Sequence, residues 1–289
     1  MHMATNTRAT IIRYTPLFKS LQTGLLLLTG LAGYMSARCP IFNVFTVLAV
    51  AGSLLLAMCG STILNMWHDR DIDARMERTA ARPIPSGQVS PVEALRLGLL
   101  LSLAGVVWAV TLDPLYGVIV FAGLFFDVVV YTIWLKRRTP WSIVWGGLVG
   151  GMPILAGRAL GMGQVEWVGV ALALAVLFWI PTHILTFAAR HHEDYRRAGV
   201  PTVPAVYGFA ANRAIIAVSS ILAAVMMGIA AYGIGLEVGY LRVIAVLSAG
   251  LLVLAIRSLV RPSERINFGL FKYASLYMLG TMLLMMFVQ

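Results

Sequence analysis

The sequence predicts an all-α membrane protein, a single bundle of nine transmembrane helices with a polar mouth facing the cytoplasm. Three observations carry that expectation. Of 289 residues, 60% are hydrophobic and 12% charged, with a mean hydropathy of +0.85, whereas soluble domains run at about 45–50% and about 25%. Apolar stretches long enough to cross a ~30 Å hydrocarbon layer recur along the whole chain. The basic residues alternate between successive connections. Together these exclude a soluble enzyme, a disordered tail and a disulfide scaffold.

The apolar stretches fall at 17–37, 41–64, 92–112, 114–135, 140–160, 167–189, 213–235, 239–259 and 268–288, so residues 1–289 read as one integral domain. The first follows Arg8, Arg13 and Lys19. Eight more spans come after it and no small-residue cleavage site stands out, so it reads as a retained anchor rather than a signal peptide. Cys39 and Cys59 lie in apolar surroundings without a C-x-x-C pattern and support neither a disulfide nor a thiolate metal site.

Connections after even-numbered spans are basic. They carry Arg70, Arg75, Arg78, Arg82 and Arg96; Lys136, Arg137 and Arg138; Arg190, Arg196, Arg197 and Arg213; and Arg257, Arg261, Arg265 and Lys272. The opposite side holds only Arg38, Arg158 and Arg242. The positive-inside rule then puts the N-terminus and the basic loops in the cytoplasm and the C-terminus outside. The net charge of +10 is therefore a headgroup-facing belt, not a nucleic-acid footprint. Two loops on this face, 65–91 and 190–212, are long and rich in carboxylate, amide, His and Pro, while the other face has short, plain turns. Chemistry belongs on the basic face.

The first long loop opens with Asn65, Asp69 and Asp73. If the second helix continues through them, positions i, i+4 and i+8 stack three oxygen donors on one face, with Asp71 pointing elsewhere. Hard oxygen ligands suit Mg²⁺, which keeps waters and is completed by substrate phosphates, and Arg78 and Arg82 follow with forked donors for phosphate oxygens. The alternative is a solvated helix end with local ion pairs, Asp71 to Arg75 or Arg70 to Asp73. After the fourth span, Lys136, Arg137 and Arg138 offer charge to an anion, and Gly146, Gly147, Gly150 and Gly151 allow close helix packing. In the second long loop, Glu193 and Asp194 are candidates for a second Mg²⁺ on the far side of a diphosphate, or for a local acid–base pair. Asp127, one turn before Tyr131, and His183 lie inside spans, where ionisable groups line cavities or pair. His68, His191 and His192 share no metal-ligand spacing with them.

Asn65-x-x-x-Asp69-x-x-x-Asp73 followed by Arg78-Thr79 and Arg82-Pro83 resembles the first aspartate-rich motif of the UbiA superfamily of intramembrane prenyltransferases. The wording from Asp69 to Thr79, from Tyr131 to Ser142, from Asp194-Tyr195 to Pro204 and from Phe271 to Tyr277 is similar to its haem-modifying branch, the protoheme IX farnesyltransferases. Lys19-Ser20, in place of Lys-Pro, and the segment from Thr182 to Phe187 depart from that branch, on the acceptor side. The resemblance implies a bundle of the UbiA type in the cell membrane, with Mg²⁺ as cofactor. It implies farnesyl diphosphate as donor, protoheme IX (haem B) as acceptor and haem O as product, with haem A synthase or terminal-oxidase assembly factors as partners. Asn65, Asp69, Asp73 and Asp194 would hold metal, with Arg78 and Lys136 catalytic. Arg82, Asp127, Tyr131, Arg137, Arg138, His183, Glu193 and Tyr195 would contact substrate, His183 as haem ligand or porphyrin contact. The alternatives are an aromatic quinone precursor or lipid as acceptor and, in another class, an anion transporter.

Overall fold

In a computed structural model, which describes residues 14–18, 20–37 and 43–287, all regular structure is helical. A 3₁₀ turn at Thr15–Phe18 precedes α1 (Ser20–Met35), α2 (Val44–His68), the single turn α3 (Arg70–Asp73), α4 (Pro91–Leu112) and α5 (Pro114–Phe125). A π-helical stretch, Phe126–Leu135, continues α5. Then come α6 (Ser142–Met162), α7 (Trp167–Arg190), the short α8 (His192–Arg197), α9 (Val203–Ile234), α10 (Val238–Val260) and α11 (Glu264–Phe287). Eight of these helices, counting α5 with its π continuation, are long and apolar enough to cross a membrane. The expected first span is α1, at 16 residues the short member of the set, so eight rather than nine spans meet that standard among the described residues. Arg8, Arg13, Lys19, Arg38 and Cys39 lie outside the described residues.

Local chemistry sets the boundaries. Asn43 caps α2 by accepting from the Phe45 amide at 2.9 Å. Ser90-Pro91 and Asp113-Pro114 pair a side-chain cap with proline in the first turn, where its missing N–H loses no bond. Gly163 and Gly235 close α6 and α9 at φ 71° and 76°. Helix α9 starts at Val203, ten residues before the apolar stretch expected from 213, and it is broken at Gly208 (φ 82°, ψ 168°). Nothing lies within 4 Å of a Cβ built there, so backbone conformation rather than crowding demands glycine.

Two apolar clusters build the bundle. One joins α7, α9, α10 and α11 around Leu172, Val176, Ile216, Met227 and Met278; the other joins α2, α4, α5 and α6 around Val50, Leu54, Tyr116 and Val120. Helix α6 sits against α7 through the predicted glycine run: a Cβ on Gly147 or Gly151 would lie 2.8 Å from Leu177 O or 2.7 Å from Ala173 O. Lipid tails offer no hydrophobic gain for helix association, so such backbone contact supplies the attraction. The outward faces carry exposed apolar residues, among them Leu99, Leu100 and Leu103 of α4 and Val246 and Val253 of α10. Those faces are solvated by lipid, and the chain is an integral membrane protein.

Candidate active site

The two long loops meet at one end of the bundle. Ile72 and Met76 from the first are buried against Ala198 and Val200 from the second, with Tyr195 at the edge. The first loop also folds back on its helix bases through Ile84, Val89, Ile63 and Met66. Polar groups that would be far apart in extended loops are thus held over one patch.

Helix α2 does not run through the aspartate ladder as expected. It ends at His68, and Asp69 is its C-cap with φ −87° and ψ 5°. The turn spacing nevertheless survives: the Asp69 amide donates to Asn65 O at 2.9 Å and the Asp73 amide to Asp69 O at 2.8 Å. Each of the three side chains takes a different partner. Asp69, 3% exposed, accepts from Lys136 Nζ through Oδ2, and its Oδ1 lies 3.7 Å from Arg137 yet accepts no hydrogen bond although buried. Asp73, 5% exposed, accepts from Arg82 Nη1 at 2.7 Å, and its carbonyl accepts from Thr79 Oγ1 at 2.8 Å.

Asn65 is engaged below the mouth. Its Nδ2 donates to Asp127 Oδ2 at 3.0 Å, and its Oδ1 accepts from Thr132; Ser61 also donates to Asp127. The π-helical stretch makes this possible. With bonds from i to i+5, residues five apart return to one side, so Asp127 and Thr132 grip the same amide from consecutive turns. Tyr131 and Lys136 share a side in the same way, the ammonium lying 5.8 Å from the ring centroid. An α-helical reading puts Asp127 over Tyr131 instead, which is why Thr132 escaped notice. Ser61 was visible as the next step back on the Asn65 ladder.

Asp71 stands apart, as expected, but its partner is not Arg75, just as Asp73 is held by Arg82 and not by Arg70. Arg137 donates to both carboxylate oxygens at 2.8 and 2.6 Å and to His68 O at 2.8 Å. That hydrogen bonding, partly opposed by burial, holds the Asp71 carboxyl down to about 2. Arg70 donates to Trp67 O at 2.7 Å. Arg138 is exposed in the turn after the π-helical stretch.

From the second loop, Tyr195 accepts from Arg78 Nη2 at 3.1 Å. Asp194 Oδ2 lies 3.9 Å from Arg78 Nε and 4.0 Å from His191 Nδ1. Arg78 also stacks on Phe187 and Tyr195, 5.0 and 5.2 Å from their centroids. Glu193 does not join this group. It is exposed and bound to Arg196 at 2.7 Å, which also holds its carboxyl below the usual range, so the local acid–base pair describes it. His183 lies in α7, half-buried, its ring 5.1 Å from Trp179 and 4.4 Å from Phe271, with Nδ1 3.3 Å from Ser275 Oγ. Among the described residues, no three His, Cys, Asp or Glu side chains gather closely enough to hold a metal ion by themselves.

The arrangement gathers cations together with their own counter-charges. Lys136, Arg78 and Arg82 each face a carboxylate or phenol at one end of an apolar bundle, and one buried carboxylate oxygen is left without a donor. The profile of the UbiA prenyltransferase family matches residues 26–276. The chain is 42% identical over 253 residues to the protoheme IX farnesyltransferase of Pyrobaculum arsenaticum, covering 85% of this chain and 90% of that one. Among solved structures, a digeranylgeranylglyceryl phosphate synthase superposes with a TM-score of 0.79 at 19% identity over 96% of this chain and 97% of its own. A UbiA homologue from Archaeoglobus fulgidus, bound to GPP and Mg²⁺, gives 0.71 at 16% identity over 96% and 100%.

Proposed function

Because the chain belongs to the UbiA prenyltransferase family, we propose that its charged mouth ionises farnesyl diphosphate and passes the farnesyl group to a vinyl group of protoheme IX, giving haem O. The observation that carries this reading is the set of cations, Lys136, Arg78 and Arg82, gathered on buried or half-buried acids where the two long loops pack together. Relatives named protoheme IX farnesyltransferase support the acceptor.

The residues fit a divalent cation at one point, the buried Asp69 Oδ1 that accepts no hydrogen bond, and its hard oxygen suits Mg²⁺. Asp69 would hold the ion first, and Asp73 and Asp194, each turned to its own arginine, would join it only as phosphate oxygens complete the shell, while Asn65, tied to Asp127 and Thr132, would fix the height of the ladder. When bound, Mg²⁺ supplies positive charge to the leaving diphosphate. Lys136, Arg78 and Arg82 would turn from their acids to the phosphate oxygens and neutralise charge as the allylic carbon–oxygen bond breaks, its electron pair leaving with diphosphate. The vinyl π electrons then form the new carbon–carbon bond to the farnesyl carbon. Water adds to the cation left beside the porphyrin and loses a proton, completing a hydroxyethylfarnesyl side chain. The farnesyl tail needs no polar grip, since each buried CH₂ contributes about 0.8 kcal/mol.

The excess of basic residues on this face orients the mouth to the cytoplasm of a cell membrane. The same reading makes haem A synthase and terminal-oxidase assembly factors the recipients of the product. Purified protein given haem B, farnesyl diphosphate and Mg²⁺ is expected to yield haem O by mass spectrometry. Prenylation of an aromatic acid in place of haem would move the enzyme to a quinone precursor.

A further inference from the structure

An aromatic row leads away from the charged mouth. Arg78 stacks on Phe187, Phe187 lies 5.9 Å from Phe271, and Phe271 stacks on Phe268 at 6.1 Å and 8°. His183 and Trp179 continue the stack towards the membrane interior from Phe271. At the outer end of the row two cations share one ring: the Arg190 guanidinium lies 4.1 Å and the Lys272 ammonium 4.6 Å from the Phe268 centroid. Both side chains are exposed, on the last turn of α7 and the third turn of α11. Among the described residues neither is held in an ion pair.

Two like charges beside one phenyl ring repel each other, and the ring's quadrupole offsets only part of that. A pair of carboxylates would complete the arrangement. Protoheme IX is a flat apolar macrocycle with two propionate carboxylates on one edge and its vinyl groups away from that edge. A surface for it therefore needs aromatic faces in the middle, cations at one end and the reacting diphosphate at the other. That is the order found here.

We propose that Arg190 and Lys272 are the acceptor's carboxylate clamp, gripping the two propionates of protoheme while the macrocycle lies along Phe268, Phe271 and Phe187 with a vinyl edge at Arg78. The assignment rests on the function proposed above, and it gives the enzyme a means of choosing which edge of the porphyrin meets the farnesyl cation.

The test compares haem B with its dimethyl ester, in which both carboxylates are masked, using the full chain in nanodiscs of neutral lipid. In Arg190→Gln, Lys272→Gln and the double variant the KM for haem B is expected to rise about tenfold or more, with kcat falling by less than that and the KM for farnesyl diphosphate unchanged. The wild-type enzyme should lose as much on the ester as the double variant loses on haem B, and the double variant should no longer distinguish the two. Arg190→Lys, which keeps the charge, should recover most of the affinity and serves as the folding control. Farnesylation of haem B with an unchanged KM in the variants, or equal use of haem and ester by the wild type, would overturn the clamp alone. An effect seen only in anionic-lipid discs would assign these cations to headgroups and overturn it too. Failure of the wild type to farnesylate haem would remove the function and the clamp together.

Discussion

Asp69 is the residue on which the mouth turns. One of its oxygens accepts from Lys136 and the other is buried and unsatisfied. Asp69→Asn keeps the size but removes the charge, leaving Lys136 without its acid. Turnover, read as Mg²⁺-dependent release of diphosphate from farnesyl diphosphate, is expected to fall by about 10²-fold or more, the scale of losing one electrostatic stabiliser; full turnover in the variant would refute the metal role. Asp71 gives a prediction that activity does not enter. Arg137 depresses its carboxyl from 3.8 to about 2, so the ion pair contributes fully above pH 3.8 and is lost as pH falls through about 2. Carbon NMR of labelled aspartate should find one carboxyl titrating near 2, and Arg137→Gln should return it to the ordinary range. At this scale the ladder residues were legible, because a carboxylate at the end of an apolar span has few uses. The partner of Asp71 was not, since spacing along one helix cannot reveal an arginine that lies 66 residues away.

The π-helical stretch is the element that makes the site geometry specific. An i to i+5 register over Phe126–Leu135 puts Asp127 and Thr132 on Asn65, and Lys136 beside Tyr131. Such segments are rare and concentrate at functional sites. Thr132→Val retains the branched shape and removes the donor to Asn65 Oδ1. It is expected to lower farnesyl transfer about tenfold with little change in melting temperature, and an unaltered rate would show that the height of Asn65 does not matter. Spans as elements were read well because twenty apolar residues between charged loops have one physical solution. The π register was hidden: over ten residues without an amphipathic contrast, turns of 3.6 and of more than four residues leave the same apolar trace. The break of α2 at Asp69 was hidden for a related reason, since helical periodicity marks a face and not where the backbone stops.

Across the whole molecule the two ends are built for different tasks. The far end is closed by Arg158, 5% exposed, which pairs with Glu166 and donates to Ser36 O at 2.6 Å, while Glu166 caps α7 through the Val168 and Gly169 amides. Helices α1, α6 and α7 are thereby tied at one point. Arg158→Met strands that acid and is expected to cost about 3–5 kcal/mol, visible as a lower melting temperature in detergent with the mouth's chemistry intact in the surviving fold. Burial also means that Arg158 is a structural cation and no counterweight to the basic face, so the charge asymmetry is stronger than counting alone implied. With the native cysteines replaced, Ser86→Cys should react with an impermeant maleimide from the cytoplasm and Gln164→Cys from outside; the reverse pattern would invert the assigned topology. The bundle's outline and the end where its polar side chains gather were readable from hydropathy and charge. The docking of one long loop on the other through Ile72, Met76, Ala198 and Val200 was not, because each is an unremarkable apolar residue until the partner loop is in place.

The pairing of Asp69 with Lys136 and of Asp73 with Arg82 leaves the resting mouth close to electroneutral, and that has a thermodynamic consequence. A lone divalent ion would orphan two buried or half-buried cations, and a lone diphosphate would orphan two buried acids, so each arriving alone meets repulsion that the other cancels. Ion and prenyl donor should therefore associate as a mutually dependent couple, each tightening the dissociation constant of the other by the same factor. Calorimetric titration of either in the presence and absence of its companion would measure that reciprocity directly.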